Sequence, residues 1–305
     1  MRLHSQALRY LSEVARSGSI RKAAEQLNVA SSAVNRYILK LEAELGVPIF
    51  ERKFRSLRVT PVGQLLIDHI RRTLHDAEKT KEEIDELKGS RRGTVRLVVI
   101  EGLATDLLPR TLVAFREKYP LINFNVEVLP SASVADALLA HHADIGISFN
   151  TPACRGIKRE QIAELSVGIL MQPTHPLTSQ ETITLADCTR YPLIMASNAL
   201  SLAPVIEAAF LGGELDPEAL ITTNSAAAVK AMVEAGLGIG FKSALGIEGD
   251  VAAGRLAFRN LSGSRLEQRL YLLTRQGSAL PPSANYLIEH IKTVITGMIG
   301  RLPPG

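Results

Sequence analysis

Cysteine is scarce in this chain: Cys154 and Cys188 are the only two in 305 residues. That is too few for a disulfide framework, and they lack the spacing of a metal site. Long apolar runs are missing as well, so no segment reads as a membrane span. At the N-terminus Leu3, Ala7 and Leu8 are interrupted by polar residues, and no apolar stretch follows Arg2 and His4 to act as a secretory leader. The expectation is a cytoplasmic protein with no membrane partner. Catalytic signatures are equally thin. The first α/β strand is not followed by a phosphate-cradling glycine loop, and there is no nucleophile elbow or cluster of metal ligands. Val233 to Gly240 (VEAGLGIG) contains GLGIG, but it follows a helical pattern and leads into a strand, the reverse of the order a dinucleotide fingerprint needs. It reads as a helix end and turn. His141 and His142 stand before a strand without partner ligands and read as surface residues. An enzyme is disfavoured, and no cofactor is expected.

What is present begins with uneven charge. Residues 1–93 carry 18 Lys and Arg against 12 Asp and Glu, whereas residues 94–305 carry 17 against 19. A basic N-terminal segment on a mildly acidic body is the electrostatic footprint of nucleic-acid binding, although a solvated basic face gives the same count. The helical pattern breaks the tie. Ile20, Ala23, Ala24 and Leu27 fall at i, i+3, i+4 and i+7 behind Ser19, a good N-cap, so a helix runs from about Ser19 to Asn28. Asn28 tolerates a turn and Val29 plugs the corner. A second helix starts near Ser31 and buries Val34, Ile38, Leu41 and Leu45, ending at Gly46. An earlier helix with Ala7, Leu8, Leu11, Val14 and Ala15 on one face closes a three-helix core. Val47 to Phe50 then turn the chain into a hairpin, where Arg52, Lys53, Arg55 and Arg58 alternate with Phe54, Leu57 and Val59. This is the layout of a winged helix-turn-helix. Ser31, Ser32, Asn35, Arg36 and Lys40 are the candidate DNA-reading side chains of the second helix, and Arg52, Lys53, Arg55 and Arg58 the candidate phosphate contacts of the wing.

Gly18-Ser19, Ala23-Ala24, Leu27, Ser31 to Val34, Leu41-Glu42, Leu45-Gly46, Phe50, Arg52, Val59-Thr60-Pro61 and Gly63 together resemble the N-terminal signature of the LysR-type transcriptional regulators. Asn35 stands where that family usually has Ser, and Tyr37 where it usually has a polar residue, so base preference does not carry over. The resemblance implies a partner in double-stranded DNA, RNA polymerase as a further partner, and activation of a neighbouring operon.

Thr60 and Pro61 form a helix start. Leu66, Ile70, Thr73, Ala77, Thr80, Ile84 and Leu87 follow at alternating steps of four and three, a heptad seam. Such a helix pairs with a second copy or packs on its own body; dimerisation is favoured, and with it a homodimer or homotetramer. In the LysR family this is the linker helix, and Gly89 to Gly93 end it as a hinge.

From Thr94 strands and helices alternate: strand Val95 to Ile100, helix Thr105 to Tyr119, strand Ile122 to Leu129, helix Val134 to His141, strand Ile145 to Phe149. That is βαβαβ, hence a parallel sheet. A second set runs from Leu165 to Phe241, and a last strand and helix cover Arg269 to Ile299. Leu107 to Pro109, Phe115, Tyr119-Pro120, Ala143 to Ile147 and Val233 to Gly240 resemble the LysR effector domain. The resemblance implies a two-lobed type 2 periplasmic-binding-protein fold with a small-molecule effector between lobes. A solute-binding transport protein would share that fold but needs a signal peptide.

The expected architecture is α/β: a winged helix-turn-helix over 1–60, a linker helix and hinge over 61–93, and an effector domain over 94–305. Its first lobe covers about 94–164 and 269–300, its second about 165–268. Strand C-termini and the loops after them make the cleft of such a fold. The candidate effector residues are therefore Glu101, Gly102, Ser131, Ser148, Phe149, Ser197, Asn198, Asn224 and Lys242. Family members commonly carry hydroxyl residues where this chain has Ile100 and Gly102. Glu101 with Lys242 suits a zwitterionic or amine-bearing metabolite, unless Glu101 pairs with Lys242 or a nearby Arg, or faces solvent.

Overall fold

The computed structural model describes residues 5–53, 56–105, 107–197, 200–263 and 266–299. The chain divides into two compact units, one of residues up to Ser90 with Ala140–His142, the other of the remainder from Arg91 onward.

The first unit opens with helices α1 (Gln6–Ser17), α2 (Ile20–Leu27) and α3 (Ser31–Leu45). Gly18 at φ 63° and Gly46 at φ 70° end α1 and α3 in the left-handed region. Asn28 does the same for α2 at φ 54°, its short polar side chain making that conformation tolerable. Ser19 caps α2 by accepting from Lys22 N–H. Strands β1 (Phe50–Lys53) and β2 (Ser56–Val59) form an antiparallel wing, Phe50 opposite Val59. Thr60 then caps helix α4 (Pro61–Leu87), accepting from Gly63 N–H at 2.9 Å, with Pro61 in the first turn.

Two expectations are corrected here. Leu45 is 46% exposed, because the last turn of α3 runs past the core that Val34 and Ile38 enter. Ile70, expected on an intermolecular seam, is 1% exposed and packs with Ile67, Tyr10, Leu11 and Val14 inside its own module. The first half of α4 is thus the fourth helix of that core. Gly63 permits that docking, since a Cβ there would lie 2.1 Å from the carbonyl oxygen of Ile49.

The second unit contains β3 (Gly93–Val99), α5 (Glu101–Ala104), α6 (Leu107–Lys118), β4 (Ile122–Val128), α7 (Ser131–Leu139), β5 (Ile145–Phe149) and β6 (Ile157–Met171). It continues through α8 (Leu185–Cys188), β7 (Leu193–Ala196), α9 (Ala203–Gly212), β8 (Ala219–Thr223), α10 (Ala226–Glu234) and β9 (Ile239–Ser243). The last elements are α11 (Glu248–Ala252), β10 (Ala257–Asn260), β11 (Glu267–Arg275) and α12 (Pro282–Ile299). Among the described residues the strand order is β4-β3-β5-β11-β6-β9-β7-β8, with β10 on β6. The sheet is mixed rather than wholly parallel. β4, β3 and β5 are parallel, as are β9, β7 and β8, but β6 and β11 run antiparallel to their neighbours.

β6 and β11 join two lobes. The first buries Val95, Leu97, Phe115, Ile145, Leu273, Leu287 and Ile291 in one core; the second buries Ile169, Met171, Phe210, Ile239 and Phe241 in another. Both cysteines are free, and burial beside Asp187 pushes the Cys188 thiol up to about 12, which leaves it unreactive. No described helix is long and apolar enough to cross a membrane, and no group of described residues has the makings of a metal site.

Candidate nucleic-acid interface and effector cleft

The corner between α2 and α3 is tight because Ala23 and Ala24 are both buried and let the helices approach. Val34 and Ile38 anchor α3 from below, each contributing roughly 1.5–3 kcal/mol by burial. The opposite side of α3 faces out: Ser31, Ser32, Arg36 and Lys40 are exposed and Asn35 is half-buried. Lys40 also pairs loosely with Glu44 at 3.8 Å. Tyr37, 41% exposed, stands edge-on to Tyr10 at 5.5 Å between centroids.

Glu42 holds the wing to this helix, its Oε1 accepting from the N–H groups of Ile49 at 2.7 Å and Phe50 at 3.1 Å. Leu57 N–H donates to Gly18 O at 3.0 Å, tying the wing to the end of α1. Arg58 is exposed on β2 while Leu57 and Val59 turn toward the core. Arg52 and Lys53 lie on β1. Arg55 and Phe54 fall outside the described residues.

In the second unit a cavity of about 400 Å³ lies between the lobes. Of the nine candidate effector residues, Glu101, Gly102, Ser131, Phe149, Asn224 and Lys242 line it. Ser148 is fully buried behind the wall and shares a 2.8 Å hydroxyl contact with Ser131. Ser197 is not in the lining; its N–H donates to Thr223 O at 2.8 Å. Asn198 lies outside the described residues. Sequence reasoning missed Gln268, a polar residue at an inward position of β11, and Leu202 ahead of α9; Leu200 and Ser201 belong to the strand-end loop 197–201 expected at the cleft.

Glu101 is already engaged. Its Oε1 accepts from Ser225 Oγ at 2.7 Å and its Oε2 from Ala226 N–H at 2.7 Å, so the carboxylate of one lobe sits on the N-terminus of α10 in the other. An acid group at that position answers both the unpaired N–H groups and the positive end of the helix dipole. Arg110 faces Glu248 at 3.8 Å, and Asn150 Nδ2 donates to Ser201 O at 3.4 Å, further ties between lobes. The arrangement is a container between two lobes, its apolar wall interrupted by Glu101, Asn224, Lys242 and Gln268.

Comparison with known proteins agrees with both halves. The model of the bacterial regulatory helix-turn-helix protein, lysR family, matches residues 5–64, and that of the LysR substrate binding domain matches residues 88–296. The chain is 26% identical over 290 residues to the HTH-type transcriptional activator CmpR of Synechocystis sp., covering 94% of this chain and 95% of that one. It is 26% identical over 304 residues to the RuBisCO operon transcriptional regulator of Allochromatium vinosum, covering 99% and 100%. Among solved structures, a full-length OxyR variant from Pseudomonas aeruginosa shares the fold at TM-score 0.74 and 20% identity, covering 97% of this chain and 95% of that one. CbnR complexed with its target DNA does so at TM-score 0.65 and 23% identity, covering 95% and 99%. With one model spanning the exposed α3 and its wing and the other spanning the lobes around the cavity, this chain belongs to the LysR family of DNA-binding transcriptional regulators.

Proposed function

We propose that the protein binds an interrupted palindromic operator as a homodimer or homotetramer, takes a small-molecule effector into the cavity between its lobes, and so controls a metabolic or transport operon through RNA polymerase. The observation that carries the DNA half is the outward face of α3, with Ser31, Ser32 and Arg36 exposed, beside a wing that presents Arg58. Relatives named as RuBisCO transcriptional regulators fit control of a metabolic operon. Glu101, Gly102, Ser131, Phe149, Asn224 and Lys242 are the effector-site residues in this reading.

The test separates reading from holding. An operator selected from random duplexes is titrated against wild type, Arg36→Ala, Asn35→Ala and Arg58→Ala, alongside unselected DNA. Arg58→Ala weakens both DNAs alike and lowers the salt slope by about one, the signature of a phosphate contact. Arg36→Ala or Asn35→Ala costs on the order of 1–3 kcal/mol on the operator only and relaxes one position. Equal losses on both DNAs for Arg36 and Asn35 would overturn their assignment.

A two-fold assembly is supported by α4, 27 residues and so about 40 Å long, which carries exposed apolar groups at Val62, Leu65 and Leu87. Leu65 is 74% exposed, so Leu65→Asp leaves the monomer's fold intact. In sedimentation, Leu65→Asp combined with Leu87→Asp shifts the assembly toward monomer and weakens operator binding. A wild-type oligomer in that variant would place the interface elsewhere.

A further inference from the structure

We propose that the cavity takes an uncharged, largely apolar small molecule bearing one hydrogen-bond-accepting oxygen, and that Gln268 is the residue that reads this oxygen. The inference rests on the reading of the cavity as the effector site and adds the class of ligand.

Three observations carry it. The first is Gln268 itself, which is 2% exposed on β11 and lines the cavity. Its Nε2 is buried and, among the described residues, has no hydrogen-bond partner. A buried amide donor left unpaired is costly, and a ligand oxygen removes that cost once the terminal amide turns Nε2 toward the cavity that the residue lines. The second is the wall, much of which is apolar: Ile100, Leu129, Phe149, Leu202, Val229 and Phe241. A ligand enclosed by these groups gains by burying hydrocarbon, and a volume of about 400 Å³ suits a compact ring system.

The third is the position of Glu101. The N-terminus of α10 is where a helix would receive an anionic group, and the chain's own carboxylate fills it through Ser225 and Ala226, both at 2.7 Å. A ligand carboxylate beside it would meet like charge at a helix end that is already taken. Among the described residues the lining carries one formal negative charge, Glu101, and one positive, Lys242, so it has no net charge with which to select an ion. This revises the amine-bearing ligand expected from sequence, because both oxygens of Glu101 are already accepting bonds from the chain.

Three probes of nearly the same shape separate the terms: acetophenone, with a neutral carbonyl; benzoate, with a carboxylate; and isopropylbenzene, with neither. Each is titrated into the full-length protein by methyl-detected NMR, with Ile100, Leu129 and Val229 reporting whether it enters the cavity. Acetophenone is expected to bind there about tenfold more tightly than either of the others. In Gln268→Leu, a close match in volume that also removes the buried amide, its advantage over isopropylbenzene disappears while isopropylbenzene binds as before or better.

If benzoate binds most tightly in the cavity, or if Gln268→Leu leaves the acetophenone preference intact, the ligand class is wrong and the cavity still stands as the site. If acetophenone produces no shift at the three reporter residues, the proposal is overturned. Shifts confined to methyl groups elsewhere would overturn the reading of the cavity with it.

Discussion

Ile70→Asp is expected to abolish the folded DNA-binding unit, at a cost on the order of 5 kcal/mol or more. Ile70 is 1% exposed and shares a core with Ile67, Leu11, Val14, Val34 and Ile38. Truncating a buried isoleucine costs about 2–5 kcal/mol through lost transfer energy and the cavity left behind. A carboxylate at the same place adds several more, because nothing in that apolar cluster can pair with it. The sum rivals the whole stability of a typical small domain, roughly 5–15 kcal/mol. In urea melts of the full-length chain followed by circular dichroism, the variant should lack one transition and retain that of the second unit, with operator binding gone. Ile70→Val, by contrast, costs about 0.5–1.5 kcal/mol and keeps both transitions. Full helicity and normal operator affinity in Ile70→Asp would mean that α4 does not close the core. The prediction also separates folding from assembly, since Leu65→Asp on the same helix leaves the fold in place and acts on the oligomer.

The difference between Ile70 and Leu65 shows where sequence reading stops. A step of four or three along α4 states that residues share a face, but not whether that face meets a second copy or the chain's own α1 and α3. Where local chemistry decides structure, the reading succeeds. Ser19, Asn28, Gly46, Thr60 and Pro61 sit at the helix ends their cap preferences dictate. Gly63 is visible as part of a motif, yet its reason, an Ile49 carbonyl that leaves no room for a Cβ, exists only in three dimensions. The first half of β6, IKREQIAE, shows no apolar alternation and passes unread, because most of its outward side is solvated. Missing it hides the antiparallel pair β6 and β11 that joins the lobes. The cavity is legible as a set of strand-end loops, and six of the nine named residues reach it. Glu101's partners are not legible, for Ser225 and Ala226 lie more than a hundred residues away in the chain.

Asp144→Ala should be the most damaging single truncation of a polar side chain in the second unit. Asp144 is fully buried just ahead of β5. Its Oδ2 accepts from Arg96 N–H at 2.9 Å and Arg96 Nε at 3.3 Å, while its Oδ1 faces Arg96 Nη2 at 3.3 Å and Arg275 Nη2 at 3.9 Å. Arg275 is itself buried, its Nη1 donating to the carbonyl oxygens of Leu138 and Ala143. The carboxylate therefore ties β3, β5 and β11 together and neutralises a guanidinium that cannot reach water. Removing one partner of a buried pair strands the other charge and costs about 3–5 kcal/mol, more than the intact pair is worth. The same reasoning fixes the remedy. Asp144→Ala with Arg275→Met removes the stranded charge along with its partner, so the double variant should recover a large part of the loss, with a coupling of roughly 1–3 kcal/mol in a double-mutant cycle. Urea unfolding of the second unit supplies all four corners of that cycle. Additive single effects would show that Asp144 acts through Arg96 alone, and a loss below about 1 kcal/mol for Asp144→Ala would remove the ion pair from the account of this fold.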